Sequence, residues 1–406
     1  MVTTLRPKLF NRNLYLFFGV WACVGFSYAG LHSVLFNLYL ARLDFDIGFV
    51  GVVNGSGLLF LTLFAFPAGW LGRRFGSRRL IIWGLGLSAA SYGLIPMAEQ
   101  LQTWARPFWI IAWNGIFGIS AASVIVNSLP YLMAIATPKE RDLAFSVRAA
   151  AVPLFGFAGS LLGGFLPTLL VSALGATSFG PRSYGLSLSI ASLFYVISLV
   201  LVLFTKKADS PGQKEGAKKD APPIRIILLL SLVNLLAMTG IWSSRIFLNV
   251  YMDQGINAPT SVIGLIVAIA QLVAVPSALS MPFFARRFGK FQTIVVVAVL
   301  LSLGLIVLAA FQSWAAAGIS FSIIVSSAIV FESAFSVYSQ GLVPPDWRPI
   351  MAGATGAAFG IGSSAIGFGG GYIISAFDYK ALFSLGAAFS FAAALLFALC
   401  FYRFGK

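Results

Sequence analysis

Apolar residues in this chain come in a dozen runs, most longer than twenty residues, separated by short polar breaks. The runs read as spans 13–40, 47–71, 80–99, 105–136, 143–174, 183–205, 224–255, 260–285, 291–311, 314–343, 350–377 and 379–402. About 20 apolar residues in a helix cross a ~30 Å hydrocarbon core, so each run predicts one membrane-crossing helix. The short alternating strands of a membrane β-barrel are absent. The expected fold is all-α and integral to the membrane, with twelve transmembrane helices.

The polar breaks carry the organisation. The stretch 206–223 is rich in Lys, Asp, Gly and Pro with no apolar periodicity, and reads as a disordered linker. It divides the chain into an expected bundle over 1–205 and a second over 224–406. The two halves repeat. Asn37-Leu38-Tyr39-Leu40 matches Asn249-Val250-Tyr251-Met252, and Arg73-Arg74-Phe75-Gly76 matches Arg286-Arg287-Phe288-Gly289. Pro138-Lys139-Glu140-Arg141 matches Pro345-Asp346-Trp347-Arg348, and Gly163-Gly164 matches Gly370-Gly371. Four matches in the same order predict two pseudo-symmetric six-helix bundles with a substrate site near mid-membrane between them.

Composition agrees. Of the 406 residues, 59% are hydrophobic and 10% charged, against about 25% charged in soluble domains. The formal charge of +15 invites a nucleic-acid reading, but its placement argues otherwise. Of the 27 Lys and Arg, 21 fall on the side of the spans that holds both termini; Arg42, Arg106, Arg182 and Lys380 fall on the other. The positive-inside rule then places both termini in the cytoplasm, with the excess meeting anionic lipid. The expected location is a bacterial plasma (inner) membrane, without a cleaved signal peptide. Cys23 and Cys400 lie in apolar spans and read as small apolar residues rather than a disulfide.

The stretch Gly69-Trp70-Leu71-Gly72-Arg73-Arg74-Phe75-Gly76-Ser77-Arg78 resembles the loop between spans two and three of the major facilitator superfamily, Gly-x-Leu-Ala-Asp-Arg-x-Gly-Arg-Lys. The resemblance covers essentially the whole chain and implies that family's twelve-helix transporter fold. It also marks Gly69, Arg73, Arg74, Gly76, Arg286, Arg287 and Gly289 as gate residues. The family's Asp, part of a charge network that stabilises one conformation, is Gly72 here, and Ala285 in the second copy. The family's span-four Arg-x-x-x-Gly appears as Asn114–Gly118, without the arginine. Gly159-Ser160-Leu161-Leu162-Gly163-Gly164 resembles the antiporter motif Gly-Pro-x-x-Gly-Gly, with Ser160 for proline.

Charged side chains at mid-span cost about 2.5–3.5 kcal/mol on insertion scales and so tend to face a partner or a cavity. Glu332 is the one acid well inside a span, roughly 18 Å from the cytoplasmic end by helical rise. Desolvation there would raise its pKa, which suits proton coupling. Arg245 lies in the outer half, with Trp242 and Asn249 on its face, placed to bind an anionic group or pair with Glu332. His32, with Tyr28 one turn away, is a second proton-coupling candidate. Arg148 enters span five near the cytoplasmic end and reads as a snorkelling or gate residue. Asn127 and Gln271 come out near mid-depth, Asn54 further out, and each has a plain alternative as a helix–helix hydrogen bond. Trp21, Trp113, Tyr131, Trp242 and Phe335 are candidate pocket aromatics, with packing the simpler reading for each.

One histidine and two distant cysteines exclude a metal cluster. No Gly-x-x-x-x-Gly-Lys-Ser/Thr exists, which leaves ATP-driven transport without support. No cofactor and no enzymatic activity are expected. The expectation is a monomeric secondary active transporter that exports a small amphipathic organic compound against protons. Uptake of an organic anion by symport or uniport is the first alternative; a passive lipid flippase or channel is the alternative of a different class.

Overall fold

The computed structural model describes residues 10–137, 140–173, 180–206, 223–344 and 347–402. Twelve helices are long and apolar enough to cross a membrane. The first six are α1 (Arg12–Arg42), α2 (Ile47–Phe75), α3 (Ser77–Gln100), α4 (Arg106–Ile135), α5 (Leu143–Ala173) and α6 (Pro181–Leu203). The second six are α7 (Ile224–Gly255), α8 (Thr260–Arg287), α9 (Lys290–Ala310), α10 (Trp314–Gly341), α11 (Ile350–Ala376) and α12 (Tyr379–Phe401). Their ends lie within four residues of the spans read from the apolar pattern, and there is no strand among the described residues. They form two pseudo-symmetric bundles, α1–α6 and α7–α12. Between its two ends, the stretch 206–223 lies outside the described residues.

Polar residues at the breaks set the helix ends. Asn11, Asp46, Ser313 and Asp378 accept from the backbone N–H three residues on, at 3.0, 2.7, 3.2 and 2.7 Å. The basic hairpins are tighter than expected. α2 continues to Phe75 and α3 begins at Ser77, so the hairpin is a single-residue break. Gly76 turns it at φ 91° and Gly289 turns its repeat at φ 87°, a conformation that favours glycine. Arg78 then donates to the Leu203 carbonyl at 2.8 Å and caps α6. Arg141 and Arg348, aligned by the repeat, each donate to the carbonyl eight residues back, that of Met133 and of Gln340. Glu140 ties the start of α1 to the α4–α5 loop. It accepts from Thr137 and Asn11, and those hydrogen bonds hold its carboxyl below the usual range, Thr137 contributing most.

Nothing in the apolar pattern announced the middle of α1. Gly25–His32 is π-helical, which leaves backbone carbonyls free for other partners. The Ala29 carbonyl accepts from Ser33 Oγ (2.5 Å), from Gln271 Nε2 of α8 (3.3 Å) and from Ser160 Oγ of α5 (3.4 Å).

The terminal face, where the described chain begins and ends, differs sharply from the opposite, far face. On the far half the bundles touch backbone to backbone. A Cβ at Gly51 of α2 would lie 2.6 Å from the Gly367 carbonyl of α11, and one at Gly367 would lie 2.6 Å from the Gly55 Cα. A Cβ on Gly164 of α5 would lie 2.9 Å from the Gly264 Cα of α8. The repeated glycine pairs behave alike. Gly163 and Gly370 face their own bundles (Leu31, Phe247), whereas Gly164 and Gly371 face the opposite one (Gly264, Gly48). The repeated asparagines clamp the seam reciprocally: Asn37 Nδ2 donates to the Ile246 carbonyl at 2.6 Å, and Asn249 Nδ2 donates to the Ser33 carbonyl. Above them Arg42 pairs with Asp253 at 2.6 Å across the bundles. Toward the terminal face this contact ends. Below the Thr62–Gly360 contact, a Cβ at Gly356 or Gly353 would meet nothing within 4 Å. The structure is sealed at the far face and open toward the terminal face.

Membrane helices lack a hydrophobic drive to associate, so such close packing carries much of the seam. Gly51→Leu is expected to open it, since overpacking a tight contact costs about 1–3 kcal/mol. Spin labels at positions 44 and 380, in a background with Cys23 and Cys400 replaced by alanine, should move apart. An unchanged distance distribution would show that the glycine contact does not hold the far face closed.

Candidate functional site

The seal leaves a cavity of about 300 Å³ between the bundles. The π-helical part of α1 and the turn after it supply Tyr28, His32, Ser33, Phe36 and Asn37. α2 and α4 add Asn54, Asn114 and Phe117, α7 adds Trp242, Arg245 and Asn249, α8 adds Gln271, and α10 adds Phe321. The cavity sits at the lower end of ligand-pocket sizes, apolar with a few convergent polar groups.

Seven of the residues proposed from sequence meet here: Tyr28, His32, Asn54, Trp242, Arg245, Asn249 and Gln271. Glu332 joins them through Arg245. Its Oε1 lies 3.8 Å from Arg245 Nη1, beyond hydrogen-bond length but within ion-pair range. Arg245 leaves α7 ten residues from its far end and Glu332 leaves α10 nine residues from its terminal end, so Arg245 lines the cavity and Glu332 stands beside it on the terminal side. Glu332 is not enclosed by protein: its side chain is 41% exposed. The Arg245 guanidinium also lies 5.6 Å from the Trp242 ring.

Other placements differ from the expectation. Asn127 does not reach the cavity. It is buried in the first bundle, where Nδ2 donates to the Ala68 carbonyl at 3.1 Å and Oδ1 occupies the space a Cβ on Gly72 would need. It also sits nearer the terminal face than mid-depth, eight residues from the end of α4 and against the last turn of α2, and helical rise says nothing about the direction a side chain takes. Phe335 is buried against Phe331, ring to ring at 5.3 Å, inside the second bundle. Arg148 lies over the Trp21 ring at 3.9 Å and donates to Ser128 at 3.1 Å, away from the cavity lining. Trp113 packs on Trp109, and Tyr131 donates to Thr205 at 2.6 Å.

The amides that do line the cavity are partly committed to structure. Asn249 and Gln271 donate to α1 carbonyls, and Asn54 donates to Asn37 Oδ1 and the Val50 carbonyl, both at 2.8 Å. Asn114, at the place of the family's span-four arginine, donates to the Val53 carbonyl at 2.7 Å. Sequence reasoning missed Phe36, Asn37, Asn114 and Phe117 as lining residues. A signal for Phe36 existed: Tyr28, His32 and Phe36 follow at i, i+4 and i+8.

Among the gate residues, Gly76 and Gly289 make the turns, and a Cβ on Gly69 would lie 3.5 Å from the Val126 side chain. Arg74 lies 5.5 Å from the Trp70 ring, and Arg287 lies 5.7 Å from that of Phe288. Among the described residues the ion pairs are Arg42–Asp253 and Arg245–Glu332, so Arg73 and Arg286 form none. No group of His, Cys, Asp and Glu fit for a metal occurs among the described residues.

The family model described as Major Facilitator Superfamily matches residues 16–367. The fold resembles the nucleoside transporter NupG (TM-score 0.73, 16% identity, 95% of this chain and 99% of that one). It also resembles a D-xylose–proton symporter (TM-score 0.75, 13% identity, 95% of each chain). A POT family transporter in complex with 5-aminolevulinic acid is similar as well (TM-score 0.76, 14% identity, 97% of each chain). No curated protein sequence matches this chain.

The Gly72–Asn127 contact predicts that the missing motif acid cannot simply be restored. Gly72→Asp should lower the melting temperature by several degrees, the usual scale for about 1–3 kcal/mol of overpacking. Adding Asn127→Gly should recover most of that loss. A Gly72→Asp protein as stable as the wild type, measured by thermal unfolding in detergent, would sink the steric account.

Proposed function

The chain belongs to the Major Facilitator Superfamily, a membrane transporter rather than an enzyme, and on that premise we propose that it couples protons to the movement of a small amphipathic organic compound through Arg245 and Glu332. The observation that carries the reading is their 3.8 Å ion pair at the cavity between the bundles.

The pair is loose enough to exchange. An anionic group that enters the cavity competes with Glu332 for Arg245. Once Arg245 turns to the substrate, Glu332 loses its compensating charge and takes up a proton more readily. Substrate and proton then favour each other's binding, by linkage in both directions. That is the logic of moving both the same way. A cationic substrate exchanged for a proton can reach Glu332 from the open terminal side, but it meets the positive charge of Arg245 only 3.8 Å beyond, which repels it. The geometry therefore favours proton-coupled transport of a compound with an anionic group. Export against protons is kept as the second reading by one feature: the α5 glycine run that resembles the antiporter motif and seals against α1 and α8.

The protein would alternate by rocking one bundle on the other. The far-face seam is what must open, and the cavity is complete within one chain, which supports a monomer. The excess of Lys and Arg on the terminal face supports a cytoplasmic placement for it, so that the described state is inward-open.

Proteoliposomes with an imposed pH gradient test this, with a compound library screened by proton movement. Glu332→Gln is expected to retain binding and lose gradient-driven flux by about tenfold or more. Arg245→Gln should lose binding. In the wild type, substrate affinity should rise as pH falls, and in Glu332→Gln it should not depend on pH. Equal gradient-driven flux in wild type and Glu332→Gln would remove the coupling role. Accumulation against, rather than with, the proton flow would restore the export reading.

A further inference from the structure

The first-bundle wall of the cavity is aromatic in an ordered way. Tyr28 stacks on His32 with ring centroids 5.2 Å apart and planes 17° apart, and His32 stacks on Phe36 at 4.6 Å and 25°. Three rings so aligned over eight residues of one helix need an explanation. Tyr28 and His32 lie in the π-helical stretch and Phe36 in the α-helix beyond it. A π-turn winds less per residue than an α-turn, so the rotation lost between the first two rings offsets that gained between the next two. All three therefore line the same cavity. Phe117 of α4 closes the wall, 5.7 Å from Tyr28 and 5.9 Å from His32.

Polar groups without partners accompany the rings. His32 Nδ1 is buried with no hydrogen-bond partner, and Nε2 has none among the described residues either, so a ligand at the ring edge meets no competitor. Nearby, the cavity-lining Asn54 and Asn114 have their NH2 groups committed to amide oxygens, and their own side-chain oxygens accept from no donor among the described residues. Across from this wall stand Trp242 and the positive charge of Arg245.

We propose that this wall is a subsite for a planar heteroaromatic ring, so that the substrate class is a small heteroaromatic acid. Its ring packs on Tyr28, His32, Phe36 and Phe117, and a ring nitrogen pairs with the His32 imidazole. Its carboxylate lies toward Arg245. The subsite rests on the reading that Arg245 takes the anionic group, and deepens it.

Calorimetric titration of the purified protein in nanodiscs tests it with three carboxylates of equal charge: nicotinate, benzoate and cyclohexanecarboxylate. Benzoate should bind about fivefold more tightly than cyclohexanecarboxylate, the scale of an aromatic pair. Nicotinate should bind more tightly again. His32→Phe should bring nicotinate down to the benzoate level and leave benzoate unchanged; Tyr28→Leu should weaken both. Equal affinity for benzoate and cyclohexanecarboxylate, with all binding lost in Arg245→Gln, overturns the subsite and leaves the Arg245 reading standing. Ring-dependent binding that survives Arg245→Gln overturns the placement of the carboxylate and keeps the ring subsite. Absence of binding by all three at millimolar concentration overturns the substrate class, and the Glu332→Gln flux comparison then decides the coupling reading on its own.

Discussion

Everything in this molecule depends on how closely two backbones approach at the far face. α2 meets α11 and α5 meets α8 through glycines, with room for no side chain at Gly51, Gly367, Gly164 or Gly264. Lipid gives no hydrophobic reason for helices to associate, so the contact rests on dispersion and on hydrogen bonds to carbonyls. The reciprocal Asn37 and Asn249 amides supply those bonds at the α1–α7 seam. Interhelical hydrogen bonds of this kind average only about 0.6 kcal/mol each, which suits a seam that a transport cycle must break and remake.

The same seam builds the cavity. Asn37, Asn249 and Gln271 line it while holding α1 to α7 and α8, so binding and sealing share side chains. A ligand that turned one of these amides toward itself would loosen the closed face. Arg245 and Glu332 differ, because among the described residues no hydrogen bond to a backbone group holds either one: Arg245 meets Glu332 at 3.8 Å and the Trp242 ring at 5.6 Å.

On the terminal face the contrast is complete. The family's acid is absent at Gly72, and Asn127 occupies the space a side chain there would need. Arg73 and Arg286 form no ion pair among the described residues, and the two halves stand apart around Gly353 and Gly356. The far face is closed by glycine and asparagine contacts, and no ion pair joins the bundles at the terminal face among the described residues.

What the sequence alone determined was whatever depends on length, hydropathy and order along the chain. The twelve spans, the bias of basic residues and the internal repeat all follow from it. Repeated residues even kept equivalent roles: Gly76 and Gly289 turn the hairpins, and Arg141 and Arg348 each cap the helix before them. Direction around each helix axis had to come from the tertiary structure. Asn127 and Gln271 read alike by depth, yet one points into a bundle and the other into the cavity. Phe335, a candidate pocket aromatic by sequence, lies inside a bundle, whereas Phe117, which nothing in the sequence singled out, lines the cavity. In a helix whose every face is apolar, periodicity carries no azimuth, and only packing against neighbours supplies one. The π-turn in α1 shifts the register further, and the meeting of Arg245 with Glu332 across nearly ninety residues was decided by the packing of α7 and α10 within the second bundle.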